Sequence, residues 1–277
     1  MRISTAILLL LILVSPRTFA QTNDDWQSWP MGERFSISVS AFRPSLDTKV
    51  RVDASDGEPG TVIDFEQNLG MSETELLPSI LFDWRFAKKH RLSLGHFVLN
   101  RSGSAVTTTE IHFGDEVFSI DLPISSFLDV NVTHASYSYS LLFDEKKELA
   151  ISAGLSVQDF KFGIQGNEGQ GLIEAESGIT APLPAFGITG GYAFTDKLFL
   201  RAGAGLFSFE FALSNEDELS GEIKNAMLAL HHQTFENVQF AISYLFFDID
   251  ASFGTATGFN SIDYSYHGPS LGVAVTF

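Results

Sequence analysis

From Arg34 onward the chain alternates with a period of two. Phe35, Ile37, Val39 and Ala41 interleave with Ser36, Ser38 and Ser40, the spacing that sends successive side chains to opposite faces of a strand. Ile80, Phe82, Trp84 and Phe86 likewise face away from Leu81, Asp83 and Arg85. An Asp and an Arg behind an aromatic face would be costly in a dry sandwich core, whereas a wet interior accommodates them. Leu92 to Leu99 repeats the pattern more weakly. Leu128, Val130 and Val132 oppose Asp129, Asn131 and Thr133, and then the phase slips near His134, where a β-bulge is expected. After the slip Ala135, Tyr137, Tyr139 and Leu141 oppose three serines.

The same alternation runs through Leu149–Val157, 186–194, Leu198–Leu206 (with Phe199 the exception), 225–230 and 238–244. It ends in a strand from about Ser261 to Phe277. In that strand Leu271, Val273, Val275 and Phe277 share one face, and Gly272, Ala274 and Thr276 the other. Short connections near 87–90, 144–147, 195–197 and 234–237 alternate strictly with long ones near 43–77, 101–126, 164–182, 213–221 and 251–260. Short turns on one side and long loops on the other are the layout of a transmembrane β-barrel. The pattern therefore predicts an all-β chain: a single antiparallel up-and-down transmembrane β-barrel of about ten strands, with eight or twelve as alternatives. The alternatives arise because Thr48–Val52, Val106–Phe113 and Val117–Ile124 are strand-like pieces inside two long loops. They are either hairpins standing above the membrane or further barrel strands.

The N-terminus adds a destination. Arg2, the apolar run Ala6–Val14, Pro16 and the small-residue site before Gln21 read as a secretory signal peptide over residues 1–20. The run is too short to span a bilayer comfortably. Residues 21–33 are expected to form a periplasmic lead, with Trp26 and Trp29 at the inner membrane interface unless the stretch is a disordered tail. The barrel is expected over 34–277. The chain has no cysteine, which excludes disulfides and thiolate metal sites. Its formal charge is −17, and such an acidic chain makes a poor nucleic-acid binder. The 26 Phe and 23 Gly suit an outward apolar surface and crowded strands.

On these residues the chain resembles a bacterial outer-membrane β-barrel protein, of the broad OmpA-type and OmpW-type small-barrel group. The pattern covers nearly all of residues 34–277, but the specific motif is the terminal strand. The resemblance implies that Leu271, Val273, Val275 and Phe277 form the signal read by the barrel-assembly machinery. It also implies residence in the outer membrane among its lipids and lipopolysaccharide.

Candidate chemistry lies inside. Asp83, Arg85, Arg101 and Arg201 are expected to point into the lumen, with Asp129 nearby, as a selectivity ring or as internal salt bridges. The segment 61–71 is acidic with apolar punctuation. It is expected to fold into the barrel mouth as a plug carrying Asp64, Phe65, Glu66 and Leu69, its carboxylates meeting lumen arginines such as Arg85. The seven histidines form no metal set, and GxSxG, HExxH and P-loop motifs are absent. No cofactor, metal or catalytic residue is therefore expected. The expected function is a passive, porin-like channel for small solutes or a structural envelope protein with acidic outer loops. The alternatives are a closed surface-interaction barrel and, behind it, a lipid A- or phospholipid-modifying enzyme using His134 and Ser136.

Overall fold

The computed structural model describes residues 25–168, 171–212, 218–254 and 258–277. The expected signal peptide lies outside them. The strands are β1 (Phe35–Phe42), β2 (Ser45–Val52), β3 (Ile63–Asp64), β4 (Leu77–Ala87), β5 (His90–Val106), β6 (Ile111–Phe113), β7 (Glu116–Phe118), β8 (Pro123–Phe143), β9 (Lys147–Glu168), β10 (Gly171–Ala193), β11 (Leu198–Ala212), β12 (Glu218–Phe235), β13 (Val238–Gly254) and β14 (Phe259–Thr276).

Ten of these close a ring in the order β1-β4-β5-β8-β9-β10-β11-β12-β13-β14, with β14 paired back to β1. Every pairing in the ring is antiparallel. Closure removes the exposed strand edges that an open sheet would present. The strand-like pieces of the loops add no further strand to the ring, although Val106 ends β5 and Pro123 and Ile124 begin β8. β2 extends β1 along β14 in unbroken register, Phe42 opposite Ser270 and then Ser45 opposite His267. Pro44, which has no N–H to give, marks the break between them. β3 pairs with β2, and β6 with β7 in a separate hairpin.

In three of the five expected long loops the described residues are largely strand. β9 and β10 pair from Glu168–Gly171 all the way down, β12 pairs with β11 from Glu218, and β13 with β14 from Gly254 and Phe259. Polarity explains why the sequence pattern lost them. On β9, Leu149, Ile151, Leu155 and Val157 point outward and stay exposed, while Ala150, Ser152, Gly154 and Ser156 point inward. Farther along the same strand Asp159 and Lys161 point outward, and Phe160, Phe162 and Ile164 are buried inside. The strand keeps its phase and the medium changes. Lipid favours an apolar outside, and water favours a polar outside over an apolar core. The apolar outward stretch of β9, Leu149 to Val157, has the length of a transmembrane β-strand, about 9–11 residues.

β8, β13 and β14 invert in the same way. Outward Phe240, Ile242, Tyr244 and Phe246 on β13 give way to Asp248 and Asp250. On β14, outward Leu271 and Val273 lie below outward Asp263, whose neighbours Ile262 and Tyr264 are buried. The expected bulge at His134 is therefore absent: the β8–β9 register runs unbroken through Thr133–Val157 and His134–Ser156, and its one irregularity lies between Ser140 and Leu142. What looked like a slip is the inversion.

The outer half of the barrel interior is accordingly a hydrophobic core. Leu128, Val130, Phe160, Phe162, Ile249 and Tyr264 from the strands meet Ile63, Phe65, Leu69, Phe113 and Phe118 from the loops. Each such side chain contributes about 1.5–3 kcal/mol on burial. At the opposite rim an outward aromatic girdle gathers Phe35, Trp84, Phe86, His90, Tyr137 and Tyr139, the belt expected at a membrane interface.

Candidate functional site

A segment of chain packs inside the barrel at each end, and charged residues hold both. At the outer end β4 leaves β1 at Leu77, so upper β5 loses its neighbour on that side. The segment after β3 fills the gap. Phe65, Leu69 and Met71 are buried in the core, and the backbone passes so close to Gly103 on β5 that a Cβ there would collide with the carbonyl of Leu69 and with Met71. Arg101, 3 % exposed, ties the segment down. Its guanidinium donates to the Glu66 carboxylate, to Thr48 Oγ1 at 3.0 Å and to the Ser72 carbonyl at 2.6 Å. Glu66 also accepts the Thr48 backbone N–H at 2.9 Å.

At the inner end residues 25–33 fold into the barrel mouth. Trp26 and Met31 are buried with Phe143, Ala193 and Phe199, which corrects the interfacial placement expected for the two tryptophans. Trp29 lies 5.1 Å from the Phe143 ring, centroid to centroid, and Lys88 Nζ sits 4.6 Å over Trp29. Met31 occupies the space above Gly191, where any Cβ would overlap its sulfur. Glu33 then reaches Arg201 Nη2 at 3.3 Å and accepts the Gln239 amide at 3.0 Å. Beside it Arg85, fully buried, pairs with Glu148 and stacks 4.1 Å over Phe143. Ser140 Oγ donates to the same carboxylate at 2.7 Å, and Arg91 Nη2 approaches it at 3.5 Å.

The sequence-derived residues thus divide. Asp83, Arg85 and Arg201 lie inward at the inner end, where Asp83 accepts from Ser93. Arg101 lies inward at the outer end. Asp129 does not face the lumen: it is on the outward face of β8, opposite Lys161, because that stretch lies beyond the inversion. Glu66 meets Arg101 and not Arg85. Asp64 caps the following turn, accepting the Gln67 N–H. His134 and Ser136 share the interior face of β8, away from the outward apolar belt. Leu271 and Val273 face outward, and the Phe277 carbonyl accepts both the Arg34 and Phe35 N–H groups, sealing the β1–β14 seam. Sequence reading missed Glu33, Arg91 and Glu148. The signal was there for two of them: outward Leu92 and Leu149 force Arg91 and Glu148 inward.

Burial alone would raise the Glu33 carboxyl, but Arg201, Arg91 and the Gln239 amide outweigh it and hold it below the usual carboxylate range. A lowered folded-state value makes this contact stabilising above the free-acid value of 4.5 and progressively lost as pH falls through the lowered one. The lead is therefore expected to stay docked from neutral pH to about pH 4.5 and to release only below it. A red shift in Trp26 and Trp29 emission on acidification in detergent measures this, and release above pH 5 contradicts it.

No family model matches the chain, and no curated protein matches it. Solved structures do. The outer membrane protease OmpT from Escherichia coli aligns over 95 % of this chain and 100 % of its own, with a TM-score of 0.57 and 12 % identity. The transport unit of the autotransporter AIDA-I from Escherichia coli aligns over 96 % of this chain and 94 % of its own, at 0.43 and 10 %. The Pseudomonas putida toluene transporter TodX aligns over 88 % of this chain and 90 % of its own, at 0.37 and 8 %. The first of these likenesses establishes that the chain has the closed antiparallel barrel fold seen in an outer-membrane protein.

Proposed function

We propose that the protein acts in the outer membrane as a closed barrel with a structural or surface-interaction role, and not as an open passive channel. The observation that carries this reading is the apolar core of the outer half. A conducting lumen needs a continuous wet path, and Leu128, Phe160, Phe162, Ile249 and Tyr264 are buried together with loop side chains in one apolar cluster inside the ring. The Arg101–Glu66 strap and the docked lead close the two ends around it. The outside of the barrel presents two surfaces. Below the inversion it is an apolar belt that suits the membrane lipids, and above it a polar wall bearing Asp129, Asp159, Asp250, Asp263, Glu174 and Glu176. Assembly through the terminal strand ending in Phe277 is part of the same proposal.

Reconstitution in planar bilayers tests it. The purified protein is expected to insert without stable single-channel steps, while an authentic porin in the same bilayers conducts. A reproducible ohmic conductance in most insertions overturns the closed reading.

A further inference from the structure

We infer that the inner mouth of the barrel is a binding site for a small carboxylate, filled in this structure by the chain's own Glu33. Four observations converge. First, the recognising groups belong to the barrel wall: Arg201 on β11, Gln239 on β13 and Arg91 on β5. The carboxylate belongs to the lead, which lies outside the ring of strands. Second, the lead is held chiefly by side chains. Its described backbone hydrogen bonds, Trp29 to Trp26 and Gly32 to Trp29, are internal. Trp26, Trp29, Met31 and Glu33 carry contact with the wall through their side chains, so the occupant is separable from the site.

Third, the wall offers more donors than Glu33 uses. Arg201 Nε is buried with no hydrogen-bond partner, and a buried donor of this kind is normally satisfied. Arg201 meets Glu33 through one nitrogen only, at 3.3 and 3.5 Å, leaving unused the side-on fork that an arginine presents to a planar carboxylate. A free carboxylate, unconstrained by the lead, can turn to take that fork together with the Gln239 amide. Fourth, the neighbouring cations Arg85 and Arg91 both face Glu148, so the charge left when Glu33 withdraws resides chiefly on Arg201. The side chains of the site keep some exposure, 19 % for Arg201 and 12 % for Glu33.

The test removes the internal ligand and supplies an external one. Full-length Glu33→Ala in detergent is expected to unfold at a lower temperature than the wild type. Sodium acetate is expected to raise its midpoint with concentration, whereas chloride at matched ionic strength does not, since a ligand that binds only the folded form stabilises it by mass action. The wild type, whose site is filled, is expected not to respond. Glu33→Ala combined with Arg201→Gln is expected to lose the response. Equal effects of acetate and chloride, or an equal acetate response in the double variant, overturn the inference. A response to inorganic phosphate without one to acetate overturns the ligand class. If Glu33→Ala does not fold, refolding yield replaces the midpoint: acetate-dependent recovery supports the site, and its absence overturns it.

Discussion

Arg101→Leu is expected to destabilise the outer half of the barrel by about 3–5 kcal/mol, the typical cost of removing one partner from a buried ion pair. Glu66 would keep its Thr48 N–H but lose its cation, leaving a buried carboxylate without compensation. The segment held by Arg101 would lose its ties to Thr48 and Ser72 as well. The loss is expected to be local first. Limited proteolysis should cut between residues 61 and 76, while the ring below, whose strands pair independently of Arg101, keeps its compact electrophoretic mobility. Replacing both partners, Arg101→Leu with Glu66→Leu, is expected to cost less than either single change, because no unpaired charge remains. Urea unfolding in detergent measures the series. A single variant as stable as the wild type would mean that the strap contributes nothing.

The second large effect separates the two zones on one strand. Phe160→Ala on β9 is expected to cost about 3–5 kcal/mol, since it opens a cavity in a packed core. Ile151→Arg, nine positions earlier and on the opposite face, is expected to cost about 2–4 kcal/mol by placing a charge in the apolar belt. Lys161→Gln, outward but above the inversion, is expected to change stability by less than about 0.5 kcal/mol. The pattern matters more than any one value. If the belt continued along all of β9, Lys161 would already sit in lipid, and replacing it would stabilise the protein in proportion. Equilibrium unfolding of the three variants in lipid bilayers distinguishes the cases.

Much of the architecture was legible because a strand reports its faces through a period of two. Phe35 to Ala41, Leu149 to Val157 and Leu271 to Phe277 each declared an apolar side, and the alternation of short and long connections implied ten strands in a ring. The same rule misled where the surroundings changed. Period two records which residues share a face; it does not record what that face touches. Asp129 was therefore assigned to the lumen by analogy with Asp83, and three strand extensions were read as loops. His134 marked the crossing point but resembled a bulge, since an inversion of polarity and a slip of phase leave the same trace in one strand.

By itself, then, the sequence determined the class of fold, the outward apolar belt and the inward set Asp83, Arg85, Arg101 and Arg201, because these follow from local alternation. The tertiary structure alone decided which segments dock inside the ring and on which charges. Glu66 finds Arg101 across 35 positions and Glu33 finds Arg201 across 168. Pairings that distant depend on ring closure and on where two irregular segments settle, and no local period encodes either.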